Sequence, residues 1–265
     1  MATDRTSLNP QLRLRVFAGP NGSGKSTVIE QVKKTRSGGK SIDFGYYINA
    51  DDIAKNLRNT GFSFTPFDTD VTGKYFQKIA FSSGLINDEF NRKKFISSFS
   101  LRKNIIRIKD YTADERLAQI IADFLRKRLL MERKRFSFET VFSHSSKLDI
   151  MSEAAMAGYK VYLYDVATES PKINIQRVEA RKNLGGHGVP ADKIRSRYFK
   201  SLDLMYGAAQ LAYQCFWFDN SGEELQMFAH FKMAGPYKKW EFSDMKKIPN
   251  WFFAYYLNKM QSVKS

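Results

Sequence analysis

Residues Gly19 to Thr27 read Gly-Pro-Asn-Gly-Ser-Gly-Lys-Ser-Thr, which fills every fixed position of the pattern G-x-x-x-x-G-K-[ST] directly after the apolar run Leu14–Ala18. Glycines at 19, 22 and 24 let successive backbone N–H groups turn inward around an anion, and a helix that follows points its positive end at the same spot. Val28, Ile29 and Val32 begin a helical stripe after the loop, so a strand, a tight loop and a helix are predicted in that order. In such a unit Gly19, Pro20, Asn21, Gly22, Ser23, Gly24, Lys25, Ser26 and Thr27 are expected to cradle a nucleoside triphosphate. Lys25 then reaches the β- and γ-phosphates, and the Ser26 hydroxyl ligates Mg²⁺.

Five apolar runs read as strands: Leu14–Ala18, Tyr46–Ile48, Phe136–Phe138, Val161–Val166 and Phe216–Phe218. Helical patterns separate several of them. A helix ends at Gly158, just before the fourth run. Ser170-Pro171 sets a capping hydroxyl ahead of a proline at the first helical position, which predicts a helix over 171–183. Thr112-x-x-Glu115 reads as a capping box in front of the stripe Leu117, Ile120, Ile121, Phe124 and Leu125. This alternation implies an α/β chain with a parallel sheet, helices on both faces, and ligands at the carboxyl ends of the strands. One domain over 1–265 is expected, with an insertion within 59–115 that is helical around Lys74–Ala80. An aromatic and basic C-terminal extension over 225–265 is expected to dock on the body.

Composition narrows the class. No apolar stretch is long enough to span a bilayer, the amino terminus has no apolar signal region, and Cys215 is the single cysteine, which together predict a cytoplasmic protein without disulfides or membrane contact. The 43 Lys and Arg against 27 Asp and Glu give a net charge of +16, which suits a polyanionic partner. Arg92, Lys93, Lys94, Arg102, Lys103, Arg107 and Lys109 form an acid-free stretch interleaved with Phe95, Phe99 and Ile105. That composition fits either a single-strand-binding surface or a solvated face on a packed insertion.

Phosphoryl transfer to a hydroxyl needs a carboxylate to take the proton, metal-bound phosphates, and cations that follow the developing charge. Asp51 and Asp52 follow the second strand at the opening of a helix, where an acid serves equally well as a cap. Glu139 and Thr140 end the third strand at the same edge, placed to hold a metal-bound water or to grip an acceptor. Arg177 and Arg181 share one helix face, and the glycine-rich turn around His187 separates them from Arg195 and Arg197. This is the pattern of a lid hinge, or of two helices with solvated arginines.

The blocks 17–27, 48–54, 138–140, 158–163, 181–190 and 218–221 together resemble the zeta toxin family of P-loop kinases. The resemblance implies a three-layer αβα P-loop NTPase fold with a kinase-type, parallel five-stranded sheet. It implies a kinase that uses ATP and Mg²⁺ to phosphorylate a hydroxyl of a small molecule such as UDP-N-acetylglucosamine, and an antitoxin protein as a partner class. It assigns phosphate and metal to Lys25 and Ser26, the catalytic base to Asp51, acceptor contact to Glu139 with Thr140 and His187, phosphate neutralisation to Arg177 with Arg181, and approach to the nucleotide base to Asn220. The chain departs from the family at His187, where an arginine is usual, and at Val141, where a threonine is usual.

A mechanical or ABC-like ATPase would need a strand ending in Asp-Glu and a Leu-Ser-Gly-Gly-Gln-type signature, and neither is present. A nucleic-acid-binding P-loop ATPase or a polynucleotide kinase is the alternative class, motivated by the charge and by the basic stretch.

Overall fold

The structure is a computed structural model and describes residues 11–185 and 188–262. The chain divides into two compact units, one made of the segments up to Asp43 and from Thr140 onward, the other of Phe44–Glu139.

The first unit opens with β1 (Arg13–Ala18), α1 (Lys25–Lys34) and a small hairpin of β2 (Arg36–Ser37) and β3 (Lys40–Ser41). The second unit then runs through β4 (Tyr46–Ile48), α2 (Ala50–Asn59), β5 (Phe62–Ser63), α3 (Gly73–Phe81), α4 (Arg92–Ser97), β6 (Phe99–Arg102), β7 (Ile105–Ile108), α5 (Asp114–Met131) and β8 (Phe136–Thr140). The first unit resumes with α6 (Ser146–Met156), β9 (Lys160–Ala167), α7 (Pro171–Asn183), α8 (Ala191–Leu211), β10 (Gln214–Asp219), β11 (Gln226–Ala234) and β12 (Tyr237–Phe242). It closes with α9 (Asn250–Phe252), a π turn over Phe253–Leu257, and α10 (Asn258–Ser262).

All five expected strands are present, and each lies in a parallel pair: β1 with β9, β9 with β10, and β4 with β8. The fold is mixed α/β with a mostly parallel sheet. β9 is buried along almost its whole length, as a parallel strand covered on both faces must be, and its sequence is correspondingly a near-continuous apolar run. No helix among the described residues is long and apolar enough to cross a membrane.

Three local expectations need correction or extension. The capping box at Thr112 does not form: Asp110 accepts from the Thr112 N–H and from its hydroxyl, capping a one-turn 3₁₀ helix, and α5 starts behind that turn without a side-chain cap. Ser170 does hold the cap position before Pro171, but its hydroxyl makes no capping bond, so the fixed φ of the proline starts α7. The carboxyl-terminal segment docks on its own unit, and part of it does so as sheet. β11 and β12 extend β10 in antiparallel pairs, and Trp240 then stacks on Trp217 at 5.3 Å while Phe252 and Tyr256 close over the same indole.

The segment between α2 and α5 is a small packed structure in its own right. β5, β7 and β6 form an antiparallel sheet, and Phe64, Phe76, Phe95 and Phe124 are fully buried among one another. Each such ring contributes on the order of 1.5–3 kcal/mol by leaving water, enough to hold an insertion that has only short strands.

Candidate functional site

In the first unit the chain leaves β1 at Ala18 and turns through Gly19–Gly24 into α1. Gly24 is the left-handed cap of that helix, with φ 100°. A Cβ at Gly24 would collide with the Asn220 side-chain amide, and one at Gly22, also at positive φ, would collide with the Asn174 carbonyl. Both asparagines explain the crowding. Asn220 Nδ2 donates to the Ser23 carbonyl at 2.9 Å, and Asn174 Nδ2 donates to the Asn21 carbonyl at 2.6 Å. Asn174 is fully buried, and its own Oδ1 accepts from the Thr168 hydroxyl. With two loop carbonyls held from outside, the curvature of the loop is fixed before any ligand arrives. Asn220 therefore braces the loop, and Asn174 and Thr168 join it as residues that the sequence reading did not single out.

Gly24→Ala is expected to cost about 1–3 kcal/mol, the range for a non-glycine residue held at such a φ. Urea denaturation measures it. Adding Asn220→Ala to Gly24→Ala should cost less than the sum of the two single changes, because the collision disappears while the φ strain stays.

Lys25 is buried, with its Nζ donating to the Gly19 and Pro20 carbonyls at 3.0 Å each, so the ammonium is folded back onto the loop it serves. Ser26 and Thr27 are exposed in the first turn of α1. Ser23 is buried, and its hydroxyl has no hydrogen-bond partner among the described residues.

Asp165 is a buried acid in the otherwise apolar β9. It lies on β9 in register with Ala18 of β1 and Trp217 of β10, and it is 2% exposed. Its Oδ2 has no hydrogen-bond partner among the described residues. Burial pushes its carboxyl up to about 7, and the Lys25 ammonium pulls the other way. The sequence carries the signal, one acid interrupting an apolar run.

Arg177 of α7 donates to the Asn220 carbonyl at 2.6 Å and to the Gly222 carbonyl at 3.1 Å, tying α7 to the turn after β10. Arg181 is exposed one turn on. Arg197 of α8 donates to Asn21 Oδ1 at 3.4 Å, while Arg195 is exposed. His187 lies outside the described residues. Thr140 accepts from the Phe142 N–H at 3.1 Å and so shapes the turn after β8.

The second unit carries a separate cluster at the ends of β4 and β8, which pair through Ile48 and Phe138. Tyr47 donates its hydroxyl to Glu139 Oε2 at 3.2 Å, and Asn49 Nδ2 donates to the same oxygen at 3.3 Å. Burial and the Glu139 charge push the Tyr47 phenol far above its ordinary range. The Asn49 Oδ1 accepts from the Asp51 N–H at 2.9 Å and caps α2. This leaves the Asp51 and Asp52 side chains exposed in the first helical turn. Tyr47 and Asn49, two apart on a strand end, share the face opposite buried Ile48, which is the pattern that could have identified them.

No family model and no curated protein matches the chain. Solved structures do. A crystal structure of AvrRxo1-ORF1:AvrRxo1-ORF2 with sulphate ions aligns with a TM-score of 0.52 at 14% identity, covering 89% of this chain and 62% of that one. The same pair with ATP aligns at 0.51 and 15% identity, covering 84% and 59%. The likeness is one of fold. The α/β architecture implied by the motifs is thus shared with a solved structure, and this chain spans about 62% of that structure's length.

Proposed function

We propose that this chain is an ATP- and Mg²⁺-dependent phosphotransferase of the zeta-toxin kind, acting on a hydroxyl of a small molecule. The observation that carries the reading is the loop itself: a complete phosphate-binding sequence, curved and braced by Asn174 and Asn220, with a buried lysine at its centre. A fold shared with a protein solved with ATP supports it.

In this reading the loop N–H groups and Lys25 hold the β- and γ-phosphates, with Gly19 to Thr27 as the cradle. Ser26 supplies a hard oxygen donor at the first turn of α1, as Mg²⁺ requires, and the ion would neutralise phosphate charge. Arg177 and Arg181 neutralise charge on the transferring group. Asp51, unencumbered in its helical turn, takes the acceptor proton. Glu139, oriented by Tyr47 and Asn49, grips the acceptor, with Thr140 and His187 as further contacts. The acceptor class given by the motif resemblance is a nucleotide sugar such as UDP-N-acetylglucosamine. An antitoxin-type protein partner and a cytoplasmic setting belong to the same reading, and the solved neighbour is itself a two-protein assembly, AvrRxo1-ORF1:AvrRxo1-ORF2.

A mass-shift screen tests the activity. Incubation with ATP, Mg²⁺ and pools of nucleotide sugars, nucleosides and short RNA is expected to yield one small molecule heavier by a phosphoryl group, with no such product from Lys25→Ala. If only ADP and free phosphate form, the phosphotransferase reading is wrong.

A further inference from the structure

The basic stretch between Arg92 and Lys109 forms α4 and the β6–β7 hairpin of the second unit, and all seven of its cations are exposed. None of the seven forms an ion pair among the described residues. Elsewhere in the same unit the cations behave differently: Arg58 pairs with Asp114, Lys127 with Asp123, Arg128 with Glu132 and Lys134 with Asp68. Within the stretch, Arg92 lies over the Phe81 ring and Lys94 donates to the Glu89 carbonyl. Asp110 is the acid next in sequence, and it caps the turn that follows.

Strand register sorts the remaining charges. Phe62, Leu101 and Ile106 align on one face of the sheet, where Phe62 and Ile106 are buried. The opposite face carries Ser63, Ser100, Arg102, Ile105 and Arg107. Lys103 sits at the hairpin tip between them. Its φ is 48° and that of Asn104 is 62°, a type I′ turn, which favours Asn or Gly at both central positions. A lysine there is held in a conformation that L-residues disfavour. The tip is also fixed to the body, because Asn104 donates to the Thr69 carbonyl at 2.8 Å and accepts from the Val71 N–H at 3.0 Å. An ammonium is thus kept at a strained, rigid position between two unpaired arginines.

We infer that this outer face, centred on Arg102, Lys103 and Arg107, binds the phosphate backbone of nucleic acid without reading its sequence. An acidic protein is the poorer fit, since protein interfaces are anchored by aromatic or aliphatic side chains at their centre. Here the middle strand contributes half-buried Ile105 and exposed Arg107, flanked by Ser63, Ser100 and Arg102, and no exposed aromatic or aliphatic anchor stands among them. Phe95 and Phe99, which the sequence interleaves with the cations, are buried in the core, so they offer no stacking and affinity rests on charge. The inference uses the second unit alone and stands apart from the proposed phosphotransferase activity.

Fluorescence anisotropy with two labelled single-stranded 20-mers of unrelated sequence, titrated from low to high KCl, tests it. With about five phosphates neutralised, log K should fall with log[KCl] at a slope of roughly −3 to −4, alike for both sequences. Arg102→Ala/Lys103→Ala/Arg107→Ala should reduce that slope by about 2. A control triple, Lys33→Ala/Lys34→Ala/Lys40→Ala in the first unit, should leave it unchanged. Lys103→Gly removes the possibility of a folding artefact: it should raise the denaturation midpoint by relieving the turn, yet weaken binding. Absence of binding, or equal effects of the two triples, overturns the inference. So does tight binding of polyglutamate with none of the oligonucleotides, which would assign the face to an acidic protein.

Discussion

Asp51→Asn is expected to leave ATP binding intact and to slow phosphoryl transfer by about 10²–10⁴-fold, the usual contribution of a positioned general base. The variant should fold normally. The α2 cap is the Asn49 side chain on the Asp51 backbone N–H, which asparagine preserves, and the Asp51 carboxylate is exposed. Only a modest helix-dipole contribution of about 0.3–1 kcal/mol is at stake. Glu139 provides the contrast, because its Oε2 already accepts from Tyr47 and Asn49. A carboxylate so engaged suits orientation more than proton transfer. Glu139→Gln is therefore expected to raise the acceptor KM while leaving kcat closer to the parent, and Tyr47→Phe should shift KM in the same direction by a smaller factor. Single-turnover kinetics with isotopically labelled ATP separate these outcomes. If Asp51→Asn transfers phosphate at the parental rate while Asp52→Asn does not, the base is Asp52.

The sequence made legible whatever depended on short, local patterns. The loop at Gly19–Thr27, the five parallel strands and the helix over Pro171–Asn183 each carry their signal within about a dozen residues, and they lie where that signal put them. Residues whose role arises from register or from distant partners were hidden. Asn174 matters because Asn21 and Thr168 lie against it, and nothing in α7's own sequence says so. Tyr47 and Asn49 become significant only once β8 brings Glu139 alongside. At Thr112 the local pattern misled, because a nearer competitor, Asp110, took the same N–H. The carboxyl-terminal segment was legible in its chemistry and less so in its geometry. Trp251, Phe252 and Tyr256 are buried while Tyr237 and Phe253 are exposed, and β12 alternates between exposed and half-buried positions on a sheet edge, a pattern weak enough to pass for a loop.

Asp165 is a costly residue to keep buried in β9. Asp165→Asn is expected to stabilise the protein at pH 8 by up to about 4 kcal/mol, and the gain should vanish near pH 4. The sign follows from linkage. Burial pushes the carboxyl up to about 7 in the folded chain from its ordinary 3.8, so between those values the native state holds a proton that the unfolded chain has released. Its contribution is most favourable below the unfolded value, declines as pH rises toward 7, and is constant above it. Three units at about 1.4 kcal/mol each set the ceiling, and the cost of burying an amide subtracts from it. Urea denaturation from pH 4 to 8 should show a gap between parent and variant that widens with pH. A gap independent of pH would mean that Asp165 does not titrate. The same charge bears on the ligand, because an ionised Asp165 attracts the ammonium that a polyphosphate must recruit. ATP affinity of the parent should therefore fall as pH rises through 7, and that of Asp165→Asn should stay level. A buried acid that weakens both the fold and the grip of Lys25 at high pH is a residue whose presence stability alone does not explain.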